Sequence, residues 1–462
     1  MYMRTRFGKK YRMARLLLSC MILFLQMPLA VHATEDERRR IPVETNEIAE
    51  WPEGPLTTAK AAVLMEAETG VVLYGKNMHA QLYPASTTKM MTALVAIENC
   101  ALSERMTMSP NAVNLVPPDG SRVGLQAGDT ITMEEALYAI MVGSANEVSN
   151  GIAEHVGGSI EGFAQMMNER AATLSLTNTH FKNPNGLHED DHYTSAYDLA
   201  VIAKAYFEHV TLAQIGGTGR YHLHSETTQA KDFYINNRHR IVNGEMDLDG
   251  IIGGKTGFTD QAGDCLVTCA EREGMRLICV VLFEETPAQY TDTLALMEYG
   301  FRSFQKVSTR GLAESVFPSL PDFFVEGSSV FGRATSALSF SPGDMLLLPV
   351  NTAPDNKAVQ RSVTAGESGQ VAVLTYTWNG HPVGTANILR TDNPRTPPPG
   401  PRTAFLQLGT WLSRMLLFLF LVSALSCTAE GFYRHFTSHE YRNKRRLARR
   451  KKESRRGPRL ME

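Results

Sequence analysis

Cysteine is scarce in this 462-residue chain: there are six, and two of them, Cys20 and Cys427, sit in apolar stretches near the ends. The four left in the body, Cys100, Cys265, Cys269 and Cys279, are too few for a disulfide scaffold. Residues 265–279 read as a hairpin around Glu271-Arg272-Glu273-Gly274. Pairing Ala270 with Met275 sets Cys269 opposite Arg276 and Cys265 opposite Val280, so no bridge follows and small buried thiols are expected. Basic charge is also lacking away from the ends. Eighteen of the 46 Lys and Arg residues lie before residue 16 or after Tyr433, with only four of the 48 acids beyond residue 429. Residues 34–429 therefore carry 28 basic against 44 acidic side chains, a net charge of −16. A body that acidic excludes nucleic acid as its partner, because phosphate contact needs a basic face. Charged residues make up only 20% against 43% hydrophobic, which excludes disorder across the bulk. The length allows two or three domains, and no internal repeat is present.

The ends carry what the body lacks. Residues 1–33 combine six basic residues, an apolar stretch from Leu16 to Leu29 and Val31-His32-Ala33 as a small-x-small site, the pattern of a secretory signal; an uncleaved anchor helix is the alternative. Only four residues separate Arg15 from Cys20, too few for the apolar core of a lipoprotein signal. At the other end, Asn393 to Thr403 (NPRTPPPGPRT) is an extended Pro-rich spacer. The following apolar run, Met415 to Cys427, is 13 residues, about 20 Å of helix and too short for a ~30 Å hydrocarbon core. Extension forward to Tyr433 gives 19 residues and keeps Arg414 at the surface; the basic tail then lies in the cytoplasm. A helix lying on the bilayer is the alternative, disfavoured because Leu416 to Val422 is apolar on every side.

Between the ends, AAVLMEAETGVVLY (61–74) is a hairpin signal. Helical patterns follow in Pro84–Glu98, Met133–Val142, Ile152–Leu174 and Ala196–Phe207. Strands return at Gly250–Phe258, Asp264–Ala270 and Met275–Phe283, before a last helix at Tyr290–Phe304. Strands at both ends with helices between them predict an α+β domain whose antiparallel sheet is closed by both ends of its sequence, with an inserted helical region. From about Val307 short apolar runs broken by turns (MLLLPV, QVAVLTYTW, PVGTANIL) predict a small all-β domain, its last hairpin turning at Asn379-Gly380. The expected organisation is a signal at 1–33, the main domain at 56–306, the β domain at 307–392, the spacer at 393–403, a membrane segment at 404–433 and a basic tail at 434–462.

Three short motifs can carry chemistry. Ser86-Thr87-Thr88-Lys89 opens an apolar helix, and the i, i+3 spacing puts Ser86 and Lys89 on one face. A serine alcohol needs a base within reach, and a desolvated lysine with a lowered pKa can serve. The pattern alone is weak, since Ser303-Phe304-Gln305-Lys306 repeats it. Ser144-Ala145-Asn146 offers a hydroxyl and an amide at a loop. Lys255-Thr256-Gly257 lies in a strand after Gly253-Gly254, where missing side chains would let a ligand backbone approach; a cation and hydroxyl there suit a carboxylate. Taken singly, Ser144 could be a helix-end turn residue and Lys255 a solvated strand lysine.

In this order the motifs resemble those of the serine acyl-transferases that include penicillin-binding proteins and serine β-lactamases. More narrowly, ASTTKMMTALVAIE (85–98), FKNPNGL (181–187), YTSAYDLA (193–200) and GGKTGFTDQAGDCLV (253–267) resemble the low-molecular-mass penicillin-binding proteins that are D-alanyl-D-alanine carboxypeptidases. The resemblance spans about Ala61 to Arg302. It implies that Ser86 attacks the carbonyl between two D-alanines with Lys89 accepting its proton, and that backbone N–H groups of Ser86 and Phe258 hold the oxyanion. It implies that Ser144 and Asn146 relay protons and position the amide, and that Lys255 and Thr256, in the motif closed by Gly257, bind the terminal carboxylate. The implied partners are a peptidoglycan stem peptide, β-lactams and the cell membrane, with the catalytic domain outside the cytoplasm and no cofactor. Two positions depart from the family's wording, Ala145 where Gly is common and Glu147 where Asp is common.

His188-Glu189-Asp190-Asp191-His192 holds two histidines four apart, but in a polar loop with no helix to bring them to one face, so no metal is expected. Four functions stay in view: the carboxypeptidase, a β-lactamase, an endopeptidase or transpeptidase on the same substrate class, and a non-catalytic wall-binding scaffold. No Glu-x-x-Leu-Asn occurs between Asn146 and Lys255 to activate a deacylating water as class A β-lactamases do.

Overall fold

The computed structural model describes residues 34–225, 231–309, most of 327–390, and 442–445. The signal, the spacer, the apolar run Met415–Cys427 and most of the basic tail lie outside the described residues. The chain divides into two compact units, residues 1–391 and 392–462; of the second, residues 442–445 form one helical turn. Among the described residues, no helix is long and apolar enough to cross a membrane.

After a short helix, Glu35–Arg39, and a 3-10 turn, Glu44–Glu47, the first unit forms a hairpin, β1 (Ala61–Glu66) and β2 (Val72–Lys76), turning at Gly70 with φ +74. Helices α1 (Lys89–Asn99), α2 (Met133–Met141), α3 (Asn146–Gly157), α4 (Ile160–Thr173) and α5 (Ala196–Glu208) follow. Three strands, β3 (Ile251–Thr259), β4 (Gly263–Arg272) and β5 (Met275–Glu284), and helix α6 (Ala288–Ser303) complete this part. The antiparallel sheet runs β2-β1-β5-β4-β3, so β1 pairs with β5 and both ends of the sequence close it, as the element order predicts.

Alternation within the strands builds a core on each face of the sheet. Val63, Met65, Ile278 and Val280 pack toward α1–α5, whereas Leu64, Leu277, Cys279 and Val281 pack toward α6. A strand buried on both faces reads as a continuous apolar run, which is why LICVVL shows no period of two.

The continuous pattern Ile152–Leu174 is two helices rather than one. Gly158 takes a left-handed φ of +74 and Ser159 caps the second helix through Gly162 N–H, so the chain turns between them. The hairpin at 271–274 is tighter than the sequence reading placed it: Arg272 pairs with Met275 and Glu273-Gly274, both at positive φ, form a two-residue turn. Cys269 therefore faces Ile278, and Cys279 faces Thr268. The four described cysteines are free, three buried and Cys100 partly exposed.

A second antiparallel sheet contains β6 (Phe304–Ser308), β7 (Met345–Pro349), β8 (Val359–Ala365), β9 (Gln370–Trp378) and β10 (His381–Arg390), in the order β6-β7-β10-β9-β8. Asn379 and Gly380, at φ +46 and +89, turn its last hairpin as expected. Trp51 joins the two sheets: its Nε1–H donates to Leu73 O of β2, and its ring lies 4.9 Å from Phe304 and 5.0 Å from His381 of the second sheet.

Candidate active site

Ser86 sits in a 3-10 turn, Ala85–Thr88, that runs straight into α1, so Lys89 begins the helix one turn beyond the serine. Ala85 takes φ +47, and Thr87 donates from its hydroxyl to Pro84 O at 2.6 Å. A positive φ at a residue with a side chain costs of order 1–3 kcal/mol, a cost other contacts must offset. One contact is the Asn183–Leu187 loop, where Gly186 passes so close that an added Cβ would stand 1.8 Å from Ala85 O. His192 is another. Its Nδ1 accepts from Lys182 N–H, leaving Nε2 to donate to Thr88 Oγ1 at 2.9 Å, and burial pushes its pKa down to about 3. The second histidine of the polar loop thus fastens the serine turn.

Lys89 is fully buried, while Ser86 is half-buried. Its Nζ lies 2.9 Å from Ser86 Oγ, 2.7 Å from Asn146 Oδ1 and 2.7 Å from Asn185 O. Burial holds the ammonium well below the ordinary lysine range; Lys255 pushes the same way, and Glu147 opposes it. Asn146 is the first residue of α3, its N–H anchored on Ser121 O. Ser144, at φ +58, lies in the short link between α2 and α3 and accepts from Lys255 Nζ at 3.1 Å.

Lys255 is no solvated strand lysine: it is 2% exposed, and burial, with Arg238 adding to it, lowers its pKa to about 7. It stands on β3, the edge strand, whose backbone runs against the serine turn. A Cβ on Gly257 would meet Pro84 O at 2.9 Å and Ser86 N at 3.0 Å. Thr256 is half-buried and Phe258 is 61% exposed, both on the open side of the strand. The glycines before them serve a different purpose from the one the sequence suggests. Gly253 is packed against the Gly216–Gly217 backbone and Gly254 against the His239 ring, so the protein itself, rather than a ligand, fills the space.

Two sets of short contacts meet here: Lys89 gathers Ser86 and Asn146, and Lys255 holds Ser144, two residues before Asn146 in the chain; Thr256, Gly257 and Phe258 follow along the adjoining strand. The second Ser-x-x-Lys stands apart: Ser303 ends α6, and Lys306 is committed to Glu66, Glu68 and Gly274 O. Two contributors escaped the sequence reading of roles. Asn185 lies in the quoted FKNPNGL, where Asn-Pro-Asn-Gly signals a turn but not the carbonyl it aims at Lys89. Glu147 is fully buried, accepts from Val123 and Gly124 N–H through Oε1, and has its pKa raised by burial. The methyl of Ala145 is buried in the apolar core.

A family profile described as D-alanyl-D-alanine carboxypeptidase matches residues 48–286, just over half of the chain. The chain belongs to that family. A D-alanyl-D-alanine carboxypeptidase of Bacillus subtilis, DacF, is 36% identical over 253 residues, covering 54% of this chain and 63% of its own length. DacB2 of Mycobacterium tuberculosis is 30% identical over 259 residues and is covered over 84% of its length. The chain spans just under two thirds of the Bacillus protein and of DacC from Escherichia coli, at 63% and 64%. Among solved structures, the Streptomyces K15 DD-transpeptidase is 28% identical, with a TM-score of 0.52, covering 54% of this chain and 99% of that one. Penicillin binding protein 5 of Haemophilus influenzae, at 23% identity and a TM-score of 0.59, covers 73% of this chain and shares its fold.

Proposed function

We propose that the chain is a serine D-Ala-D-Ala carboxypeptidase that removes the terminal D-alanine from peptidoglycan stem peptides and is acylated by β-lactams. The observation that carries this reading is the surroundings of Lys89 Nζ. Two of its three neighbours, Asn146 Oδ1 and Asn185 O, can only accept. A neutral amine gives its two N–H groups to them and turns its lone pair toward the Ser86 hydroxyl, and burial favours that neutral form. Ser86 Oγ then attacks the penultimate D-alanine carbonyl as its proton passes to Lys89. The developing oxyanion is held by the backbone N–H groups of Ser86 and Phe258. As the C–N bond breaks, the leaving amine is protonated through Ser144, and water later hydrolyses the ester. Lys255 and Thr256 bind the terminal carboxylate, giving the preference for a free C-terminus.

The likeness to a DD-transpeptidase supports a second reading, in which an amine rather than water accepts the acyl group. The enzyme is exported by residues 1–33 and held by residues 404–433, with the basic tail in the cytoplasm; the apolar and charge patterning supports this topology. D-Alanine release from diacyl-L-Lys-D-Ala-D-Ala, run beside penicillin hydrolysis and intact-mass spectrometry, tests the function. Release of D-alanine with a stable penicillin adduct on Ser86 is expected. An adduct that persists in Ser86→Ala, or fast turnover of penicillin, refutes it.

A further inference from the structure

Helices α1 and α3 run side by side in the same direction. Their N-terminal ends meet where Lys89 touches Asn146, and their C-terminal ends meet at Cys100 and His155. Cys100 is the residue that ends α1, its N–H bonded to Ala96 O, and His155 lies in the last turn of α3. Between them comes Glu104, brought back by the turn Ala101–Glu104, in which Glu104 N–H donates to Ala101 O. Met133 N–H on Glu104 O and Glu134 N–H on Leu102 O tie this turn to α2. One donor atom from each of Cys100, Glu104 and His155 lies within 4.8 Å of the others, and His155 Nε2 is 2.9 Å from Glu104 Oε1.

We propose that Cys100, Glu104 and His155 form a zinc site, with solvent in the fourth position. Thiolate, imidazole and carboxylate are the donors zinc takes, at about 2.0–2.3 Å, so that ligand atoms stand roughly 3.3–3.7 Å apart. The three donors here reach that spacing by shifts of about an ångström. All three residues are at least partly exposed, so an ion can reach them from solvent. Two helix C-termini converge on the site, and their carbonyl ends favour a cation. On binding, the Cys100 thiol proton leaves to solvent as the Zn–S bond forms. The mixed sulfur, nitrogen and oxygen set excludes calcium and magnesium, which take oxygen alone. The ion would clamp the far ends of the two helices whose near ends hold Lys89 and Asn146.

Zinc titration of the reduced full chain by calorimetry, with cobalt as a spectroscopic stand-in, tests the site. One zinc per chain is expected, with a sulfur-to-cobalt charge-transfer band and tetrahedral d–d absorption. Cys100→Ser and His155→Ala, checked for native circular dichroism, should each weaken zinc by more than the roughly 10–100-fold that losing an outer-shell partner costs. Zinc should also raise the melting temperature of the parent chain and leave that of Cys100→Ser unchanged. Absence of binding, cobalt absorption without the sulfur band, or zinc affinity unchanged in both variants overturns the proposal.

Discussion

Three neighbours surround the Lys89 amine, and only Ser86 Oγ among them has a proton to give. Lys89→Arg keeps a positive charge but cannot present a lone pair, because guanidinium does not lose its proton in proteins. Acylation by penicillin should fall by roughly 10²–10⁴-fold in that variant. Near-normal acylation, measured by stopped-flow or adduct mass, would mean that Lys89 only orients the serine. Burial, with Arg238 adding to it, lowers the Lys255 pKa to about 7, so the ammonium is favoured below that pH and the neutral amine above it. The kcat/KM for a carboxylate-ended peptide should therefore decline as pH rises through about 7, with the descending limb removed in Lys255→Arg, which stays charged throughout. A limb unmoved by that substitution assigns it to another group. Sequence spacing made the Ser86–Lys89 pairing legible, because i, i+3 is a fixed helical relation. It left Lys255 ambiguous, because the same lysine is solvated or buried according to what packs over the strand, here Ser144 and the inserted helices.

The elements show why a short turn can hold Ala85 at positive φ beside Ser86. The Asn183–Leu187 loop delivers Asn185 O to Lys89 and Pro184 O to the Thr92 hydroxyl, and its Gly186 takes φ +83 in contact with Ala85 O. Gly186→Ala combines a disfavoured backbone region with a collision against the main chain, for which no side-chain movement compensates. A lowered melting temperature together with loss of penicillin acylation is expected, whereas the neighbouring exposed-loop change Glu189→Ala should leave both near normal. Normal acylation by Gly186→Ala would show that the loop is not needed to seat the serine turn. Elements were legible here wherever the apolar signal was strong, as a continuous run in β1 and β5 and as a helical period in α2. The break at Gly158 was not, because the apolar pattern on either side keeps a common phase and hides the change of direction. The Arg220–Ser225 and Lys231–Asn236 strand pair was missed as well: Tyr221 and Leu223 alternate with polar residues and face the core with Phe233 and Ile235, but two apolar positions per strand make a short signal.

At the scale of the molecule, charge and hydropathy separate an acidic body from apolar and basic ends. The full chain should resist extraction by high salt or carbonate, and a chain cut to residues 34–392 should be soluble and still release D-alanine. Carbonate release of the full-length protein, or protease access to the basic tail from outside intact cells, refutes a spanning anchor. The sheet order adds a consequence for how the enzyme comes into being. Ala61 pairs with Leu282, across roughly 220 residues of intervening chain whose closure entropy must be met before the pairing repays it. A nascent chain displays Ser86 and Lys89 early, but the partner strand of β1 and the strand bearing Lys255 emerge only near the end of the domain. On the proposed mechanism, an unfinished or arrested polypeptide holds its nucleophile with no oxyanion donor from Phe258 and no carboxylate seat. On the proposed function, hydrolytic competence waits on the last strands of the domain, so a chain still being made cannot act however early its serine appears.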